Sequence, residues 1–168
     1  MTPHRLLQYA IIPALAELAP HGVAPGRSAE RFLLAIALQE SDLAHRRQVS
    51  PGGGETGPAA SFWQFERGGG CAGVLRHPLA APRMRAVCED FNVEPTPLAL
   101  WEAMRYNDIV AAAAARLLVF TLPGKLPETP AEGWAQYLDA WRPGKPHPSR
   151  WGACWDQASK TVRAAGAV

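Results

Sequence analysis

Proline and glycine punctuate this chain so densely that no long element can run through it. Of 168 residues, 16 are Pro and 15 are Gly. Pro removes a backbone donor and clashes with the preceding helical turn, while Gly loses the most freedom on ordering, so both tend to end helices. No fixed period relates them, which excludes collagen-like and solenoid architectures. What survives between the breaks is helical in period. Apolar residues are 48%, charged residues 19%, and there are 6 Trp, enough for one packed core and unlike a disordered chain. The expectation is a single domain, 1–168, all-α and mainly helical, with a small strand or hairpin near 48–66.

Residues 5–19 place Leu6, Tyr9, Ala10, Pro13 and Leu15 on one side, and Pro13 should kink or divide that helix. Ser28 is the expected N-cap of a helix over 29–41, with Glu30 in its first turn. An irregular loop over 48–60 leads to Ser61-Phe62-Trp63-Gln64-Phe65-Glu66 and a break at Gly68–Gly70. Further helices are expected at 79–90, from Thr96-Pro97 to about 106, and over 109–121 behind an Asp108 cap. Thr129 and Glu132 form a capping box for a helix to Trp141. A rigid Pro-rich loop over 142–148 then precedes a last helix from about Ser149.

Several function classes fall away. The longest apolar run, Ile109-Val110 and five alanines, stops at Arg116, well short of the ~20 residues a membrane span needs. The N-terminal apolar patch is interrupted by Gln8 and Pro13 and followed by Glu17, so it reads as a folded helix and not as a signal peptide. Synthesis and folding in a cytoplasm are therefore expected. Cys71, Cys88 and Cys154 are an odd number, which fits a reducing compartment with buried free thiols and leaves a Cys71–Cys88 bridge open. A net charge of +2 is too small for a nucleic-acid footprint, and no helix is basic enough to serve as a recognition helix. His4, His21, His45, His77 and His147 have no metal-ligand spacing, so no metal or other cofactor is expected. Gly68–Gly70 lacks the Lys-Ser/Thr of a phosphate loop. His45-Arg46-Arg47 is a small basic knot, suited to a solvated turn or to anionic groups of a cell wall.

The informative helix is 29–41. Phe32, Leu33, Ile36 and Ala37 form its apolar face, and Glu40 continues that face. A carboxyl there is partly desolvated, which raises its pKa toward the range of a proton donor near neutral pH. The same spacing also fits a carboxylate that reaches from the helix end into water. Ser61–Glu66 offers aromatics beside the Gln64 amide, which suits sugar faces and N-acetyl groups; a buried aromatic cluster is the alternative for Phe62 and Phe65.

Glu40-Ser41 is followed twenty residues on by Ser61-Phe62-Trp63-Gln64. This resembles the first two motifs of the lysozyme-like lytic transglycosylases, Glu-Ser and Gly-Leu-Met-Gln, with Ser61 in place of Gly and Trp63 in place of Met. Their third motif resembles Asp108-Ile109 through Ala113 to Arg116-Leu117. Their Ala-Tyr-Asn motif is best matched by Tyr137, with Tyr106-Asn107 as the literal but out-of-order second choice. The Trp141-Arg-Pro-Gly-Lys-Pro146 stretch is similar to phage-encoded members.

The resemblance implies cleavage of peptidoglycan between N-acetylmuramic acid and N-acetylglucosamine in the glycan strands of the wall; the sequence does not fix the oligomeric state, and a monomer is the simplest expectation. Glu40 would be the acid/base, closing a 1,6-anhydro ring, and Ser41, Phe62, Trp63, Gln64 and Tyr137 would hold substrate. A muramidase is the alternative, with Glu66 or Glu55 as a second carboxylate. Asp42, two residues from Glu40, should face elsewhere on a helix. A wall-binding or virion module without chemistry and a helical DNA-binding protein are the non-enzyme alternatives.

Overall fold

The most apolar stretch of the chain becomes its centre. In the computed structural model, which describes residues 1–50, 52–54 and 56–167, Asp108–Phe120 is a helix (α7) whose Val110 and Ala111–Ala115 are all fully buried. Five consecutive alanines offer small surface on every side, so helices approach it from several directions. Those neighbours are α2 (Ile12–Leu18), α3 (Arg27–Ser41), α4 (Ala72–Arg76), α5 (Ala81–Asp90) and α8 (Pro130–Trp141). Arg116 does not bring the helix to the surface. It is 5% exposed, its guanidinium lies over the Phe120 ring, and burial lowers its pKa to about 10.

The chain is mostly helical, with one small antiparallel sheet, as the sequence predicts. The first helical segment, α1 (Pro3–Leu6), runs through a wide π turn at Leu7–Ile11 into α2. Pro13 sits in the first turn of α2, so the division expected there is present. A wider turn relieves the clash of the Pro ring with the turn before it. The Thr129–Glu132 capping box opens α8, and Thr96 caps α6 (Pro97–Ala103). The last helix, α9 (Pro148–Ala165), lies along α3.

Three local expectations are corrected. Gly26, not Ser28, precedes α3, and the Ser28 hydroxyl instead donates to Glu128 at 2.6 Å. Asn107 caps α7, its Oδ1 accepting from the Ile109 and Val110 amides, which frees Asp108 for a bidentate pair with Arg46 at 2.7–2.9 Å. Gly68–Gly70 is no break: Arg67–Cys71 is a π turn leading into α4. Gly70 has a packing reason, because a Cβ there would collide with the Phe65 ring. All three cysteines are buried free thiols, so the Cys71–Cys88 bridge does not form. Burial holds the Cys71 thiol at a pKa of about 12.

The sheet pairs β1 (Ala59–Ala60) with β2 (Phe65–Glu66), in register Ala59 with Glu66 and Ala60 with Phe65. The connecting residues Ser61 and Gln64 both have positive φ, 66° and 52°. Such a turn is tight enough to seat its aromatic pair inward. Trp63 Nε1 donates to the Leu33 carbonyl at 2.9 Å, and Ser41 Oγ lies 2.9 Å from both the Ala37 and Phe62 carbonyl oxygens. The 61–64 turn is thereby fixed to the C-terminal half of α3, beside Glu40.

Candidate active site

Glu40 stands in the last turn of α3, half-buried, on the wall of a cleft of about 1030 Å³. The cleft is bounded by the end of α3, the β hairpin, the C-terminal end of α7 and the turn after it (Leu118, Thr121 and Leu122) and the segment from Asp139 to Lys145. Burial pushes the Glu40 carboxyl above its usual pKa, and the hydrogen bond from Tyr137 partly opposes this. A carboxyl desolvated in this way keeps its proton to higher pH, as a general acid requires.

The Tyr137 hydroxyl donates to Glu40 Oε1 at 2.5 Å, across 97 residues of sequence. Its own position is set by aromatic stacking. Trp151 lies 5.5 Å away at 16°, Trp141 6.2 Å away at 27°, and Trp134 5.3 Å away. Trp151 is tied by Nε1 to the Pro130 carbonyl and Trp141 to the Trp63 carbonyl. The phenol therefore has little freedom to leave Glu40. Burial first, then the Glu40 charge and hydrogen bond, raise the Tyr137 pKa, so the phenol stays protonated and remains a donor.

The structure brings Glu40, Ser41, Gln64, Glu66 and Tyr137 together. Four of these line the cleft, and Tyr137 reaches it through its bond to Glu40. Ser41 acts as a tie between α3 and the hairpin turn, through Phe62 O. Gln64 Nε2 donates to the Ser61 carbonyl at 2.8 Å, which leaves the amide oxygen for a ligand donor. Phe62 and Trp63 do not face the cleft as expected. They are 1% and 0% exposed and belong to the core, with the Arg46 guanidinium over the Phe62 ring. Tyr106 is 79% exposed and does not line the cleft, and Asn107 beside it is engaged in capping α7. Glu55 lies outside the described residues.

Asp42 is a further correction. It lines the cleft and pairs with Arg150 at 3.7 Å. Asp42 does not follow the helical face that would turn it away, because α3 ends there and Asp42 adopts φ 50°.

Trp141 was missed. It lines the cleft, meets Phe65 edge-on at 5.9 Å, and stacks on Tyr137. The signal was its place four residues after Tyr137, on the same helical face. Arg142, Lys145 and Arg150 also line this end of the cleft. The loop between α8 and α9 is anchored to α3, where Gln39 Nε2 donates to the His147 carbonyl, and Arg150, in the first turn of α9, donates to the Leu38 carbonyl.

Among the described residues, no group of three His, Cys, Asp or Glu is placed to hold a metal ion, and no helix is long and apolar enough to cross a membrane. No family model, no curated protein and no solved structure matches the chain.

Proposed function

We propose that this chain cleaves the β-1,4 bond between N-acetylmuramic acid and N-acetylglucosamine in peptidoglycan, as a lytic transglycosylase with Glu40 as its single acid/base. The observation that carries the reading is the half-buried Glu40 carboxyl, raised in pKa and held by Tyr137, on the wall of a large cleft. Trp141 offers an aromatic edge to sugar rings and Gln64 an amide oxygen to an N-acetyl N–H. The Glu-Ser and Gln motifs support the same family by resemblance.

With Oε1 engaged by Tyr137, Oε2 carries the working proton. That proton passes to the glycosidic oxygen as its bond to the muramoyl C1 breaks. The electron-poor C1 is captured by the sugar's own C6 oxygen, whose proton returns to Oε2. The carboxyl ends as it began, no water is consumed, and no second carboxylate is needed.

Hydrolysis is the second reading, favoured by one observation: Glu66 lines the same cleft on β2. A paired carboxylate would activate water or trap the sugar covalently. Mass spectrometry of digested wall decides between the chemistries. Transglycosylation gives 1,6-anhydromuramoyl ends, lighter by one water and without a reducible terminus. Reducing muramic acid ends would overturn that reading in favour of a muramidase, and Glu66→Gln would then be the variant to lose activity. An intact wall under conditions where the chain is folded would favour a module that binds without chemistry.

A further inference from the structure

A second groove of about 420 Å³ opens on the other side of the hairpin, and it shares Arg47 and Glu66 with the main cleft. Its volume lies in the range of small-molecule sites, about 300–1,000 Å³, so it suits a short branch and not another strand. Its floor is Trp101, fixed by an Nε1 hydrogen bond to the Pro58 carbonyl at 2.8 Å. Two guanidinium groups lie against this indole, Arg47 at 5.4 Å and Arg105 at 5.5 Å from the ring centre. Arg47 is further held by the Gly57 and Thr56 carbonyls. Exposed Arg67 adds a cation to the rim, and Leu98, 47% exposed, adds an apolar edge. The groove thus combines one pinned cation, Arg47, an exposed cation, Arg67, one carboxylate and a small apolar wall.

We propose that this groove binds the short acidic peptide borne by the lactyl group of the muramoyl residue lying in the cleft. The proposal rests on the cleft being a glycan site. A stem of this kind carries several carboxylates, one free amine and alanine methyl groups. Arg47 and Arg67 meet the carboxylates, Glu66 meets the amine, and Leu98 and Pro58 meet the methyl groups. Because Arg47 and Glu66 border both cavities, the groove adjoins the cleft, where a branch on a strand lying in the cleft can reach it. The Arg47 guanidinium, already held by two carbonyls and an indole, loses little freedom on binding, which favours recognition by charge-assisted hydrogen bonds.

The test uses the full chain and the free tetrapeptide alanyl-γ-glutamyl-diaminopimelyl-alanine, titrated calorimetrically. Saturable binding is expected, weakened about tenfold by either Arg67→Glu or Leu98→Glu, the loss expected for one charge-assisted contact or one buried apolar contact. These exposed residues stand on different elements, so a folding defect in one variant leaves the other informative. A second readout is the ratio of cleavage of stem-bearing strands to amidase-stripped strands, which should fall in Arg67→Glu. No saturable binding, or equal affinity in wild type and both variants, would overturn the proposal even if wall is cleaved. Peptide binding that Arg67→Glu weakens, with no strand cleaved, would keep the groove and overturn the cleavage reading.

Discussion

Two influences act on the Glu40 proton in opposite directions. Burial at the end of α3 favours the neutral acid, the Tyr137 hydroxyl favours the carboxylate, and burial is the larger. The folded-state pKa is therefore above the unfolded one, and between these values the folded chain binds more protons. Stability from this group is full below the unfolded pKa and is lost as pH rises through the folded pKa. Glu40→Gln has no such dependence. The difference in unfolding free energy, wild type minus Glu40→Gln, should therefore fall as pH rises from the ordinary carboxylate range upward, as denaturant melts at several pH values can measure. Tyr137→Phe removes the group that favours the charged form. The alkaline limb of wall-cleaving activity should then move to higher pH, with a stability loss of about 1 kcal/mol for the missing hydrogen bond. A limb that stays in place or moves down would show that the phenol does not act on this proton.

At this scale the sequence was legible where a period constrained it. Glu40 could be placed because it continues the face of Phe32, Leu33, Ile36 and Ala37, all of which are buried. Trp63 could not be placed, since no period governs a turn that begins and ends on a left-handed residue. Its hydrogen-bond partner, Leu33 O, is thirty residues away. Nothing local in Ser61–Gln64 says that the indole turns inward.

Helix α8 holds Tyr137, and its own position depends on a glycine. A Cβ on Gly133 would come within 3.0 Å of the Trp151 ring and closer still to that of Trp155. Both rings belong to α9, so α8 would have to move away from it. Gly133→Ala should cost about 1–3 kcal/mol by overpacking and should lower activity by displacing Tyr137 from Glu40. Gly152, on α9 itself, faces open space: a Cβ there would meet nothing within 4 Å. Gly152→Ala should therefore stabilise by about 0.5–1 kcal/mol through helix propensity. Thermal melts of the two variants separate the effects, and equal shifts would contradict this account of the α8–α9 contact. Helix ends were legible where one residue offered a cap, as at Thr96 and Thr129. They misled where two polar neighbours competed: Asn107 takes the cap because Asp108 is drawn to Arg46.

Over the whole molecule, the apolar α7 decides which surfaces face inward, and the cleft opens where its C-terminal end meets the hairpin and the loop after α8. The Pro and Gly pattern made the short helices legible. The cleft was not legible, because it joins residues from α3 to α9 that share no local signal. With all three cysteines free, a thiol reductant should leave the melting temperature unchanged, and a drop would contradict the free-thiol assignment.

The most direct measurement is the loss of turbidity of purified cell walls with wild type and with Glu40→Gln. Gln keeps the shape of the carboxyl and can still accept from Tyr137, so circular dichroism and melting should match wild type at low pH. Activity should fall by about two or more orders of magnitude, as expected when a general acid is removed. A folded Glu40→Gln chain that clears wall as fast as wild type would contradict the assignment of Glu40 as the acid.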